Sequence, residues 1–212
     1  MLPFSFFKSK PKSPAELVRS FKEARYRLDS VDPKAQEKAV EECTKYLAAL
    51  KHMTSIDTAG KDKHCLFPTY VVVGNETNPE TFSQLAQEAY VNELLELLVS
   101  HLGRFAFEAR KDAVVLFNAL VRRPVGSRTP TVEYICAHPA LIAELLRGYE
   151  RQELALNYGM MLRECLKHEA LAQLCLGLPE CDLLFDYVQM PTFDIASDAF
   201  ATLKVDFLSL ID

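Results

Sequence analysis

The chain is 212 residues long, with 49% hydrophobic and 25% charged side chains, which excludes a disordered, a collagen-like or a disulfide-framed mini-protein. Its 24 basic and 29 acidic residues leave a net charge of −5, the wrong balance for gripping nucleic acid through its phosphates. No stretch approaches the roughly 20 apolar residues of a membrane span, so neither nucleic acid nor membrane is an expected partner.

Six cysteines, at 43, 65, 136, 165, 175 and 181, sit inside apolar patterns without a CxxC pair. The opening Met1-Leu-Pro-Phe-Ser-Phe-Phe-Lys-Ser-Lys-Pro-Lys12 is too short and broken for a signal peptide. Reduced, buried thiols in a cytoplasmic protein are the expectation.

In chain order, Ser13-Pro14 with Glu16 reads as a capped helix start. Leu17, Phe21, Ala24 and Leu28 follow on one face of a 3.6-residue period. Ala39, Cys43, Leu47 and Leu50 repeat the pattern, with Glu37, Lys38, Glu41, Glu42 and Lys45 turned outward. Strand-like alternation is confined to 65–73. Phe82, Leu85, Ala86 and Ala89 mark the next helix, then Leu94, Leu95, Leu98 and Leu102, then Ala113, Phe117, Leu120 and Val121. Thr129-Pro130 starts a short helix through Val132, Ile135 and Cys136, and Pro139 starts another through Ile142, Leu145, Leu146 and Tyr149. A helix over 153–168 is expected with Leu156, Met160 and Leu166 inward. A final pair covers 183–190 and then Thr192 onward, with Ala196, Ala199, Phe200, Leu203 and Phe207 on one side.

A period of about forty residues runs through these helices. Leu145-Leu146 and Tyr149 match Leu183-Leu184 and Tyr187 at an offset of 38, and Ala113 precedes Ala155 by 42. Such spacing, with a short first helix at 130–138 and 170–177, predicts an all-α fold: an armadillo/HEAT-like superhelix of three-helix repeats. The alternative is an irregular helical domain with coincidental spacing. A stack of repeats leaves an extended concave surface lined by the last helix of each unit, a surface suited to binding proteins.

Catalytic signatures are missing: there is no GxGxxG, P-loop, HExxH, GxSxG or EF-hand loop. His64-Cys65 lacks the further ligands a zinc site needs. Cys175 and Cys181 read as two buried cysteines, and Asp182, Asp186, Asp194 and Asp198 as solvated caps and faces. No enzyme, cofactor or metal is expected. The telling polar residues lie on the predicted last helices: Arg110, Lys111, Asp112, Asn118 and Arg122-Arg123, then Asn157, Arg163 and Glu164, then Phe193, Asp194, Ser197 and Asp198. Two readings stay open for them, pairing between adjacent repeats or a mixed polar and aromatic groove. Phe193, directly after Met-Pro-Thr, either caps the core or stands exposed as a binding anchor.

Three segments carry a resemblance: Gly126-Ser-Arg-Thr-Pro-Thr-Val-Glu-Tyr-Ile135, Ala155-Leu-Asn-Tyr-Gly-Met-Met-Leu-Arg-Glu-Cys165 and Pro191-Thr-Phe-Asp-Ile-Ala-Ser-Asp-Ala-Phe-Ala201. With Phe6-Phe-Lys-Ser-Lys-Pro-Lys-Ser-Pro-Ala-Glu-Leu-Val18, they closely resemble the calcium-binding protein 39 family, the Mo-twenty-five scaffolds, over most of 1–56 and 75–204. The resemblance implies a right-handed superhelix of armadillo-like repeats without catalytic activity. It implies as partners the STRAD pseudokinase, together with a liver-type tumour-suppressor kinase, and kinases of the sterile-twenty group. Lys111 and Phe193 match partner-binding positions of that family. The expected partner-binding set is therefore Phe193, Lys111, Asn118, Asn157, Arg163, Asp194 and Ser197. Despite the family name, no loop has the oxygen-ligand spacing that calcium needs.

The chain reads as one armadillo-like domain over 1–212, shorter than the family. It carries an atypical insert near 57–78 and a non-family tail at 205–212; retained introns would account for both, the alternative being a genuine lineage loop. The implied loss is of C-terminal repeats, including the pocket for the pseudokinase's Trp-Glu-Phe tail. The second functional reading is thus an adaptor that has lost kinase activation. Phe207, Leu208, Leu210 and Ile211 make a sticky edge, for which self-association is expected.

Overall fold

In this computed structural model the described residues are 13–54 and 79–208, with side chains described to 204. The first twelve residues, the 57–74 segment with His64 and Cys65, and the side chains of the 205–212 tail lie outside them. Eleven α-helices account for most of the described residues: α1 Pro14–Tyr26, α2 Pro33–His52, α3 Pro79–Val91, α4 Leu94–Ser100, α5 Phe107–Arg122, α6 Pro130–Ala137, α7 Ala140–Arg147, α8 Ala155–Leu166, α9 Glu169–Leu176, α10 Leu183–Val188 and α11 Phe193–Leu208.

Their starts are written locally. The Ser13 hydroxyl accepts the Glu16 amide at 3.3 Å while the Glu16 carboxylate accepts the Ser13 amide at 2.9 Å, a complete capping box ahead of Pro14. Asp32 caps α2 by accepting the Lys34 amide at 3.1 Å, again with proline in the first turn. The turn between α5 and α6 closes through the Val125–Arg128 bridge, and Gly126 takes its φ of 64° there at no steric cost.

Helices α3–α4–α5, α6–α7–α8 and α9–α10–α11 form three successive units behind the α1–α2 pair. First helices pack on first helices (α3–α6, α6–α9), second on second (α4–α7, α7–α10) and third on third (α5–α8, α8–α11), with α2 heading the third-helix row against α5. The expected all-α repeat stack, with short first helices, is what the chain forms. Its core runs without a break from Leu17, Phe21 and Leu47 through Phe82, Phe105 and Phe117 to Tyr149, Tyr158, Leu162, Leu184 and Leu203.

The structure corrects four burial expectations. Leu156 and Met160 are 42% and 38% exposed, not inward. Helix α8 meets α5, α7, α9 and α11, and Ala155, Tyr158, Met161, Leu162, Cys165 and Leu166 fill that arc, which turns 156 and 160 to the open side. Phe200 is 61% exposed, because Ile195, Ala199 and Leu203 supply the buried stripe of α11. Cys136 is exposed, whereas Cys43, Cys165, Cys175 and Cys181 are buried as expected. Asp198 is not a solvated cap: only 4% of it is accessible.

Candidate functional site: the third-helix face

Four helices in a row, α2, α5, α8 and α11, expose a shared face, and helical periodicity decides what stands on it. On α5 the face carries the exposed Phe107, the half-buried Lys111 four residues on, then the half-buried Asn118 and the exposed Arg122. On α8 it is Leu156 and Met160, also four apart. On α11 it is Phe193, Ser197, Phe200 and Lys204, at i, i+4, i+7 and i+11, all exposed.

Phe193 is the first residue of α11 and is 81% exposed, so the solvent-facing reading of it holds and the core-cap reading does not. Asp194 and Ser197 stand exposed in the same first turns, and Asn157 is half-buried at the start of α8. Lys111 places its ammonium 4.3 Å from the Phe107 ring centroid and 3.0 Å from Glu108, which fixes a cation over an exposed aromatic. Asn118 reaches across the α5–α8 junction, its Nδ2 lying 3.5 Å from the Met160 carbonyl.

Charge on this face is largely consumed within the stack, because each junction of the row holds an ion pair with its cation from the earlier helix and its acid from the later one. Lys51 of α2 meets Asp112 of α5. Arg122 of α5 grips Glu164 of α8 with two hydrogen bonds of 3.0 and 2.7 Å, and Lys167 adds a third contact at 3.1 Å. Burial alone would push the Glu164 carboxyl up, but Arg122 and Lys167 outweigh it and hold the group below the ordinary carboxylate range.

The third junction lies deepest. Arg163 of α8 pairs with the Asp198 carboxylate of α11 at 2.7 Å and donates to the Thr202 hydroxyl at 3.1 Å. Tyr149 donates to the same Asp198 oxygen at 2.7 Å, and burial first, then that carboxylate, pushes the phenol far up. Gly159 makes the approach possible: a Cβ there would stand 2.0 Å from Asp198 Oδ2 and 2.5 Å from the Tyr149 hydroxyl. Arg163 is thus directed into the α8–α11 junction, while Phe193, Asp194, Ser197 and Lys111 stand on the open face. Of the face residues, Phe107 is one that periodicity had not singled out, and Leu156, Met160 and Phe200 are ones it had placed on the packed side. A wheel that put Tyr158, Met161, Leu162 and Cys165 inward first would have found the α8 pair.

At the last unit the face runs into an apolar groove of about 480 Å³ between α10 and α11, lined by Phe185, Val188, Gln189, Phe200, Leu203 and Lys204. Among the described residues no cluster of three or more His, Cys, Asp or Glu could hold a metal ion, and no helix is long and apolar enough to cross a membrane.

Comparison with known proteins gives this geometry a family. The Mo25-like family model matches residues 4–209, a span that includes 57–74 and passes Lys204, where the segment resemblance ends. A human calcium-binding protein 39-like protein is 42% identical over 207 residues, covering 96% of this chain and 56% of that protein. A Caenorhabditis elegans MO25-like protein 2 is 40% identical over 91% of this chain and 54% of its own length. A Schizosaccharomyces pombe Mo25-like protein is 35% identical over 93% of this chain and 55% of its own length. The chain therefore spans about half the length of the curated relatives it matches. With a family model matched across nearly all of it, and relatives at such identity from animals and a yeast, the chain belongs to the Mo25-like family.

Proposed function

We propose that the chain is a non-catalytic scaffold that binds protein kinases on its third-helix face and activates them. The partners are a STRAD-like pseudokinase, acting with a liver-type kinase, and kinases of the sterile-twenty group. The observation that carries the reading is the exposure of Phe193, in a row with Phe107–Lys111 and Leu156–Met160, on a face whose charges are mostly paired internally. A face that sets Phe107, Leu156, Met160, Phe193 and Phe200 among polar neighbours, with the Lys111 cation held over Phe107, suits anchor-type contact, in which a few large side chains supply most of the affinity. Activation would follow by population shift. A surface that binds only the closed, active arrangement of a kinase lobe stabilises it by its differential affinity, tenfold for each 1.4 kcal/mol or so.

The test is retention of a STRAD-like pseudokinase on the immobilised chain. Phe193→Ala is expected to cost about 2 kcal/mol or more and Lys111→Glu about 1 kcal/mol. Equal retention by wild type and both variants would remove these residues from the site. The second reading is an adaptor that binds the pseudokinase without activating a kinase, and it predicts retention with no gain in kinase activity.

A further inference from the structure

The Tyr149–Arg163–Asp198–Thr202 cluster ties α8 to α11 more completely than a stacking contact requires. Arg163 pairs with the Asp198 carboxylate at 2.7 Å and donates to two further acceptors on α11, the Asp198 carbonyl at 3.3 Å and the Thr202 hydroxyl at 3.1 Å. Thr202 donates back to the Asp198 carbonyl at 3.0 Å and lies 2.8 Å from the Tyr149 hydroxyl. Tyr149 and Thr202 are fully buried and Asp198 nearly so. Each bond is directional, and together they come from two elements of the second unit, α8 and the turn after α7 that carries Tyr149. Apolar contacts tolerate a sliding helix, whereas a set of short bonds from two sides does not. Gly159 adds a steric floor, since nothing larger fits beneath the Asp198 carboxylate.

What this cluster fixes is the rotation and register of α11. Asp198 and Thr202 lie on the α8-facing side of the helix, and Phe193 and Ser197 on the open side. A rotation or shift of α11 that broke the cluster would therefore move Phe193 relative to Leu156 and Met160. The Arg122–Glu164 pair does nothing comparable, because it joins α5 to α8 and leaves α11 free.

We infer that Arg163 and Asp198 are positioning residues for partner binding, acting through α11 by holding Phe193 and Ser197 in register with the α8 part of the face. The inference deepens the proposed function and rests on it for its binding arm only.

The experiment has two arms. In the first, spin labels are placed on the exposed Cys136 of α6 and on a Ser197→Cys variant, with Cys65 replaced by serine, and the distance distribution between units is measured. The parent is expected to give one narrow distribution. Asp198→Asn and Arg163→Lys, the second kept in case the first does not fold, are expected to broaden or shift it, and Glu164→Gln to leave it in place. An unchanged distribution in a folded Asp198→Asn or Arg163→Lys chain overturns the inference, and so does equal broadening by Glu164→Gln, which would mean general loosening. In the second arm, with native Ser197 and no labels, retention of the pseudokinase is expected to fall roughly tenfold in Asp198→Asn and Arg163→Lys. Altered distances with undiminished retention would overturn the positioning role. A wild type that retains nothing would instead defeat the function proposed above, and the distance arm would still decide the lock.

Discussion

Two adjacent junctions of the third-helix row use the same device in different surroundings. Between α5 and α8, Arg122 is 46% exposed and forks onto Glu164, whose side chain is only 6% exposed, and the half-exposed Lys167 reaches the same carboxylate. Between α8 and α11, Arg163 is 18% exposed and Asp198 4%, and Tyr149 and Thr202 close round them. Both acids are buried, so the difference lies in the cations: Arg122 and Lys167 keep solvent on one side of Glu164, whereas Arg163 is largely enclosed. A buried pair offers weak evidence of net stabilisation, but losing one member strands the other without water. Loss of the acid thus strands no buried cation at the outer junction, and does so at the inner one.

The comparison breaks if the two acids cost the same to remove. Asp198→Ala should cost about 3–5 kcal/mol, since it leaves the Arg163 cation and the Tyr149 hydroxyl buried without their acceptor. Glu164→Ala should cost about 1–2 kcal/mol, because the cations it leaves, Arg122 and Lys167, can turn to solvent. Urea unfolding of the two variants under one condition measures the difference directly, and equal midpoint shifts would contradict the burial argument.

Gly159→Ala sharpens the same contrast without removing a charge. The new methyl would need the place of Asp198 Oδ2, so either α11 moves out or the carboxylate leaves Tyr149 and Arg163. A cost of about 1–3 kcal/mol is expected, as for overpacking elsewhere. Combined with Asp198→Ala, which removes the closer of the two clashes and leaves only the Tyr149 hydroxyl at 2.5 Å, the substitution should cost less than it does alone. Additive costs in that double-mutant cycle would show that the close approach is not what the glycine serves.

The outline of the fold is legible in the sequence because its signals are local and redundant. Ser13-Pro14-Glu16 caps one helix, Asp32-Pro33 caps another, and the stripes at 17/21/24/28 and 39/43/47/50 bury as spaced. The repeat is legible because equivalent residues such as Leu146 and Leu184 fill equivalent places. The site is harder to read. A leucine or methionine at i, i+4 fits either side of a helix that is packed on several sides, so Leu156 and Met160 resemble core until α5, α7, α9 and α11 are placed round α8. Asp198 resembles a surface acid for the same reason. Its burial depends on Tyr149, 49 residues away, and on a glycine whose service is to be absent from the space the acid occupies.

At the front of the stack a third kind of junction joins α1 to the end of α4, and it should respond to pH with the smallest effect of the set. Arg25 Nε donates to His101 Nε2 at 2.9 Å, so the imidazole is an acceptor there and carries its proton on Nδ1, 2.6 Å from the Ser100 hydroxyl, which donates to the Glu96 carbonyl at 2.7 Å. Burial, then the Arg25 cation, lowers the His101 pKa from 6.5, with Asp29 opposing. A histidine whose folded pKa is depressed favours its neutral form in the folded chain. Its contribution is present above pH 6.5 and is lost as the pH falls through the folded value. Glu164, depressed from 4.5, loses its contribution in a separate and more acidic window. Acid should therefore loosen the α1–α4 contact before it reaches the α5–α8 pair. Thermal unfolding of wild type and His101→Gln between about pH 5 and pH 7.5 checks this, because glutamine can accept from Arg25 but cannot titrate. The wild type should lose stability below pH 6.5 by more than the variant does, and parallel profiles would place the titration elsewhere.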